Sequence, residues 1–309
     1  TNETSATFAF TSNEVNVTFT CFLTSDGGID DTSACSSPFT YTGLQSDSYQ
    51  FVVVVEDESE NINSDSHNWN VDTSIPNISI ESGPGNPTNQ TSATFSFSSD
   101  KEVSFECLID WWDETSWIPC TSPWGYTGLE EGTHQFDLKG TDNAGNVGFS
   151  SYVWDIDLTP PGINITSKPP VFYNQLYAIF GLESNEEGST FECILDSLPS
   201  EVCTSPWMYE GLSEDIHNFS VIARDPAGNY SESAEWQWTA DVTDPEVSII
   251  SGPTDPSNQD SATFEFESNE PNSTYEIRIN GGEWIQKGTE TTHTFENLEQ
   301  GKNVVEVRA

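Results

Sequence analysis

Apolar residues in this chain fall at every second position of short runs, and clusters of Gly, Pro, Asn, Asp and Ser separate the runs. Ala93, Phe95 and Phe97 alternate with polar residues, Ala262, Phe264 and Phe266 repeat the pattern, and Val103, Phe105, Cys107 and Ile109 line one side of another run. Successive side chains of an extended strand point to opposite faces, so a period of two predicts strands with one buried face. No stretch shows the 3.6-residue period of an amphipathic helix. Turn signals punctuate the runs: Ser82-Gly83-Pro84, Ser251-Gly252-Pro253, and Asp142-Asn143-Ala144-Gly145-Asn146, where Gly145 is suited to the left-handed conformation.

The runs recur with a period of about 85 residues, the signature of a modular array. Ser-Ala-Thr-Phe stands at 5–8, 92–95 and 261–264, Phe-Glu-Cys at 105–107 and 191–193, Cys-Thr-Ser-Pro-Trp at 120–124 and 203–207, and Asp-x-Ala-Gly-Asn at 142–146 and 225–229. Pro76, Pro161 and Pro245 each follow an acidic, Thr-containing stretch, and proline makes such a joint short and stiff. The modules predicted are 1–73, 74–158, 159–243 and 244–309. About seven short strands per module predict a β-sandwich. The first module is expected to lack its first strand and the fourth its last. A window from a longer array explains this better than subunits that complete each other's sheets, because neither terminus carries a spare strand.

Taken as a set, the Asp-Pro or Pro-Pro joint, Ser-Gly-Pro, Ser-Ala-Thr-Phe, Phe-Glu-Cys, Cys-Thr-Ser-Pro and Thr-Asp-x-Ala-Gly-Asn resemble the bacterial Ig-like repeats. These are fibronectin-III-like modules that occur in tandem on large surface proteins. The resemblance covers the whole chain and implies an all-β tandem array of Ig-like sandwich domains that serve as spacers and adhesive stalks, with no catalytic residues to carry over. The first repeat departs most, with Asp57-Glu58-Ser59-Glu60-Asn61 in place of the Asp-x-Ala-Gly-Asn turn.

Composition narrows the partners. The net charge is −43, from 51 acidic and 8 basic residues. Nucleic acid is excluded as a direct partner and an anionic membrane surface is disfavoured, because both would repel the chain. No apolar run approaches the roughly 20 residues of a membrane span. The acidity reads either as solubility in a salty medium or as divalent-cation binding. Only 34% of residues are hydrophobic while 12% are aromatic, which predicts thin cores filled by a few large rings.

The six cysteines fall two to a repeat: Cys21 and Cys35, Cys107 and Cys120, Cys193 and Cys203. The fourth repeat has Ile277 and Lys287 at these places, and loss of both members together is what a covalent pair predicts. Three intra-module disulfides imply an oxidising, extracellular compartment. Six buried free thiols are the alternative. Zinc has no cluster of suitable spacing.

Candidate chemistry lies at the joints. Asp142, Asn143, Asn146, Asp155 and Asp157 flank one, and Asp225, Asn229, Asp241 and Asp244 are offered by the third repeat. Such hard oxygen ligands suit Ca²⁺, although turns capped by Asp142 and Asp225 explain part of the pattern without a metal. Glycosylation sequons stand at Asn2, Asn16, Asn77, Asn89, Asn164, Asn218, Asn229 and Asn272. Trp111 and Trp112, in a hairpin longer than its counterpart in the third repeat, are candidates for lateral packing or sugar stacking, whereas Trp117, matched by Trp284, suits a core. Tyr49, His134, His217 and Asn303 occupy one repeat position, which is expected to tie a corner by a hydrogen bond to backbone. No hydrolase, zinc-protease or phosphate-loop pattern occurs, and no enzyme is expected. The expected function is structural: an extracellular filament, stalk or appendage whose modules resist extension through sheet hydrogen bonds and a disulfide that limits chain release. Its partners would be neighbouring modules or further copies. An adhesin binding glycans or a surface protein is the alternative, and an accessory region beside a catalytic domain is a third.

Overall fold

The structure is a computed structural model of the 309-residue chain and describes residues 1–110 and 117–309. Its described residues form strands and turns. By backbone proximity the chain groups into two compact units. One is Thr1–Ile163 with Ser184–Phe191 and Ile222–Glu232; the other is Asn164–Glu183, Glu192–Val221 and Ser233–Ala309.

Residues 74–158 show the architecture most fully. A three-stranded sheet orders Trp124–Thr127, Ser92–Ser99 and Ile78–Ser82, and a four-stranded sheet orders Ile118–Cys120, Val103–Ile109, Gly132–Asp142 and Val147–Ile156. Neighbours in both sheets run antiparallel. The alternation seen in the sequence places Ala93, Phe95 and Phe97 inward, at 2%, 0% and 5% exposure, with Thr94 on the outer face. The fold class is therefore all-β, built from Ig-like, fibronectin-III-like sandwiches.

One interaction recurs between the facing sheets. Phe95 stacks on Phe136 with centroids 4.0 Å apart and planes 12° from parallel. Phe8 and Phe51 do the same at 4.1 Å, and Phe180 and Phe219 at 3.8 Å. A tryptophan from the last strand closes each pair: Trp154 lies 5.3 Å from Phe95, Trp69 5.0 Å from Phe8 and Trp238 5.5 Å from Phe180. Burying each such ring contributes about 1.5–3 kcal/mol, and each aromatic pair adds about 0.5–1.5 kcal/mol. This is how a chain so poor in aliphatic residues fills a core.

The disulfides join neighbouring strands on a diagonal. Cys107 lies opposite Ile118 and Cys120 opposite Phe105, and the Cα atoms of the two cysteines are 5.8 Å apart. Cys21–Cys35 and Cys193–Cys203 repeat this, and no described cysteine is free. Ile277, fully buried, replaces the half-cystine in the fourth module. The Ser-Pro of the Cys-x-Ser-Pro motif has its own task. Ser37, Ser122 and Ser205 Oγ accept the backbone N–H of Phe10, Phe97 and Leu182 at 2.9, 2.9 and 2.8 Å. The fourth module, which lacks the motif, uses the Thr291 carbonyl for Phe266 N–H instead.

Ser122→Ala therefore leaves the N–H of buried Phe97 without its acceptor. The expected loss is about 1–3 kcal/mol, read as a lowered unfolding midpoint in denaturant, while Thr94→Ala on the outer face of the same strand shifts it by less than about 0.5 kcal/mol.

Candidate functional site

Each joint opens with an aspartate that caps the residue two places on. Asp72, Asp157 and Asp241 Oδ1 accept the N–H of Ser74, Thr159 and Thr243 at 2.9, 3.0 and 3.1 Å. The Asp-x-Ala-Gly-Asn turn folds against the linker that precedes its module, so it does not join the residues that leave it. Asp142 Oδ1 accepts Ala144 and Asn146 N–H, and Asn146 Nδ2 bridges Asp142 Oδ2 at 3.0 Å and the Asp72 carbonyl at 2.8 Å. Asp225 and Asn229 reproduce the arrangement on the Asp157 carbonyl, also at 2.8 Å. Gly145 and Gly228 take φ of 95° and 103° at the tight point of the turn. The divergent first repeat keeps the geometry: Asp57 caps Ser59 and Asn61, and Glu60 adopts φ 65°.

The first joint is closed by an ammonium. Lys101 Nζ lies 3.0 Å from Asp72 Oδ2, 2.7 Å from the Ser74 carbonyl, 2.6 Å from Ser74 Oγ and 3.6 Å from Asp142 Oδ2. Hydrogen bonds from the Ser74 hydroxyl and backbone, with Lys101 beside them, bring the Asp72 carboxyl down to about 2. Asp142 is lowered as well, chiefly by the Asn146 side chain.

The second joint inverts that charge. Lys101, Glu186 and Glu270 share one turn position, since each backbone N–H donates to a serine Oγ two residues back, Ser99, Ser184 or Ser268. Glu186 stands where Lys101 stood. Carboxylate oxygens of Glu186, Asp157 and Asp225 lie within 4.8 Å of one another. Ca²⁺–oxygen distances of about 2.3–2.6 Å fit this spacing. Burial, then the charges of Asp157 and Asp225, push the Glu186 carboxyl up from its ordinary value.

Of the joint residues expected from sequence, Asp157 and Asp225 meet in this cluster, with Asn229 tying the turn. Asp142 and Asn146 form the ammonium-closed joint instead. Asp155 is held elsewhere, accepting Thr133 Oγ1 at 2.6 Å, and Asp241 serves as the Thr243 cap. Asn143 and Asp244 are exposed and join neither group. Glu186 escaped the sequence reading, although its alignment with Lys101 was the available signal.

The corner position behaves as expected. Tyr49 Oη, His134 Nε2, His217 Nε2 and Asn303 Nδ2 each donate to the carbonyl four residues back, of Gln45, Glu130, Ser213 and Glu299. The histidines have a second acceptor, with Nδ1 at 2.6 Å from Asp110 Oδ2 and 2.7 Å from Asp196 Oδ2 respectively. With acceptors at both nitrogens, the imidazolium is the matching form. Burial alone would lower the pKa values, but the carbonyl and carboxylate partners outweigh it and both are raised.

Trp117 is not a core residue. Lys139 Nζ sits 4.9 Å over its ring, exposed Phe149 packs beside it, and Arg278 and Arg308 flank Trp284 in the same way. The reason is strand phase: Trp117 stands one place before Ile118, which lies opposite inward-facing Cys107, so its ring falls on the outer face with Lys139 and Phe149. Trp111 and Trp112 lie outside the described residues. Among the sequons, Asn2, Asn16, Asn77, Asn164, Asn218 and Asn272 are exposed. Asn89 is half-buried, its N–H bonded to the Ala227 carbonyl. Asn229 is unsuited to a glycan, because both Nδ2 hydrogens are engaged by Asp157 and Asp225.

No protein-family model matches the chain, and no curated protein matches it. Among solved structures, the fibronectin(III)-like modules of Clostridium thermocellum CbhA are 15% identical over 53% of this chain and 93% of theirs, with a TM-score of 0.36. A tetra-tandem repeat from the extending region of a large adhesion protein is 14% identical over 99% of this chain and 91% of its own, at 0.32. A structure from a 1.5-MDa bacterial ice-binding adhesin is 13% identical over 76% and 89%, at 0.34. The fold assignment rests on the strand order and core described above.

Two outcomes follow. Glu186→Lys should raise the melting temperature without added metal by reproducing the first joint, and Lys101→Glu should lower it, both read by calorimetry. For the histidines, folded pKa values above the unfolded ones mean stability that is full below about pH 6.5 and lost as pH rises through the raised values. Melting across that window should fall with pH in the native chain and flatten in His134→Tyr/His217→Tyr.

Proposed function

We propose that this chain is a non-enzymatic run of spacer modules from an extracellular filament, stalk or surface appendage, and that Ca²⁺ at the second joint takes the place the Lys101 ammonium holds at the first. The observation that carries the reading is the exchange of Lys101 for Glu186 within an otherwise repeated joint. The Asp-capped linker and the Asp-Asn turn are the same at both. Three carboxylates without a cation repel one another, whereas a divalent ion bridging linker and turn would stiffen the joint. Three disulfides support an oxidising, extracellular setting. A charge of −43 disfavours collapse onto other copies and leaves the sequential neighbours as the contacts that matter.

Adhesion is the second reading, and one feature of the third module favours it. The outer-face pairs Thr7–Thr40 and Thr263–Thr294 of the first and fourth modules are hydroxyl pairs 2.9 Å apart. At the same place the third module pairs Ile179 with Met208, 43% and 49% exposed. Exposed apolar side chains where sister modules carry threonine suit contact with a partner surface.

Isothermal titration of Ca²⁺ into the full chain tests the first reading. A saturable site with Kd of about 10⁻⁵–10⁻³ M, abolished by Glu186→Lys and accompanied by a rise in melting temperature, is expected. Absence of both heat and thermal shift at millimolar Ca²⁺ would remove the cation from the proposal.

A further inference from the structure

The outer face of one sheet in the third module is apolar where its sisters are polar. That sheet orders Ile163–Ser167, Tyr177–Ser184 and Trp207–Glu210. Its central strand keeps the inward phase of the repeat, with Ala178 and Phe180 fully buried in the places of Ala93 and Phe95. The outward phase is different. Tyr177 and Ile179 replace the Ser and Thr of Ser-Ala-Thr-Phe, which the other three repeats keep at 5–8, 92–95 and 261–264. Met208, opposite Ile179, stands where the first, second and fourth modules have Thr40, Gly125 and Thr294. Three changes to apolar side chains thus meet on one face of one module.

Together they form a continuous patch. Tyr177, Ile179 and Met208 are 36%, 43% and 49% exposed, and the Tyr173 ring backs Tyr177 edge-on at 5.8 Å. The chemistry of the patch narrows its occupant. An isoleucine and a thioether offer a sugar's hydroxyls no strong partner, so a glycan would lose hydrogen bonds to water without replacement. Apolar side chains of a polypeptide lose none, and a flexible methionine beside a tyrosine adapts to their shape. Charge narrows it further. Glu210 lies opposite Tyr177, Glu183 shares the outward phase two places beyond Gly181, and both are exposed. A second copy of the chain would bring its own charge of −43 against these carboxylates.

We infer, on the basis of the adhesion reading, that this face binds a basic polypeptide: an extended segment whose apolar side chains cover Ile179 and Met208 and whose Lys or Arg side chains reach Glu183 and Glu210. Strand spacing sets the length of that segment. From Tyr177 to Glu183 the strand advances about 20 Å, at roughly 3.4 Å per residue. Alternate residues of an extended peptide share a face. A seven-residue segment therefore spans the patch with cations at its first and last positions and apolar side chains at its third and fifth.

The probe is the end-capped synthetic peptide Lys-Ser-Leu-Ser-Leu-Ser-Lys, titrated into the full, isotope-labelled chain and followed by amide NMR shifts. Saturable shifts at millimolar peptide are expected at residues 177–183 and 207–210. Serine in place of both leucines should weaken binding at least about tenfold, and so should glutamate in place of both lysines. Ile179→Thr/Met208→Thr restores the threonines of the sister modules, so it should leave thermal unfolding unchanged while weakening the peptide to a similar degree. Equal or tighter binding of the glutamate peptide at the patch would overturn the basic partner and leave the adhesion reading standing. No saturable shift at the patch with either peptide, or undiminished binding by the double variant, would overturn both.

Discussion

The face-to-face phenylalanine pair is the contact on which the first three sandwiches depend. Phe95 and Phe136 come from different sheets, so their stacking sets how far apart and in what register the sheets meet. The alternation of both strands follows, since only one phase places these rings inward. Trp154 then seals the pair, and His134 lies beneath it with centroids 5.4 Å apart. The corner hydrogen bond of His134 to Glu130 thus fixes the chain just before the strand that carries Phe136. A core so dependent on three rings tolerates variation around them. That explains how the tie can be Tyr49, His134 or His217 while the architecture persists.

The fourth module departs from this set within its own strands. Val305 stands where Phe136 would be, no stacked partner faces Phe264, and the nearest ring is Phe295 at 6.3 Å in an edge geometry. Its buried core is correspondingly small: Phe266, Tyr275, Ile277 and Phe295. Bidentate Arg278–Glu306 and the Arg308–Glu276 pair lie on the outer face of this sheet, and both guanidinium groups pack on Trp284. Half-exposed pairs of this kind contribute little on their own, so they organise the face more than they replace the missing rings.

Much of this was legible in the sequence for a physical reason. Strand phase, the cysteine pairs and the Asp-x-Ala-Gly-Asn turn are local, and a repeated chain displays each of them more than once. The joint was less legible. Sequence order suggested that Asp142 and Asn146 act with Asp155 and Asp157, which lie nearby in the chain, yet the turn reaches back to Asp72, 74 residues earlier than Asn146. Only the folded hairpin brings the turn to the preceding linker. Glu186 was hidden for a related reason: among 51 acidic residues one more carboxylate carries no signal until it is set against the lysine it replaces. Trp117 misled because an aromatic near a cysteine pair resembles a core residue, whereas its phase in the strand puts it on the outer face over Lys139.

The disulfides also take on a different weight once their placement is known. They span sequence separations of 14, 13 and 10 residues within a hairpin. At roughly 3.5 Å per extended residue, a locked hairpin withholds about 35–50 Å, while an unfolded module of about 85 residues releases close to 300 Å. The bond therefore shortens the release by only about an eighth to a sixth and is a weak mechanical leash. Its larger effect is on the unfolded chain, where closing a loop of this size stabilises the module by about 3 kcal/mol in the entropic account. On the proposed spacer reading, resistance to extension then resides where force enters, in the strand hydrogen bonds and in the joints. At the joints the chain varies the sign of one side chain while holding the surrounding oxygens constant. A lysine makes one joint complete in itself, and a glutamate in the same place gathers three carboxylates at the next; on the proposed reading the stiffness of neighbouring joints is set by the sequence in one case and by the medium in the other.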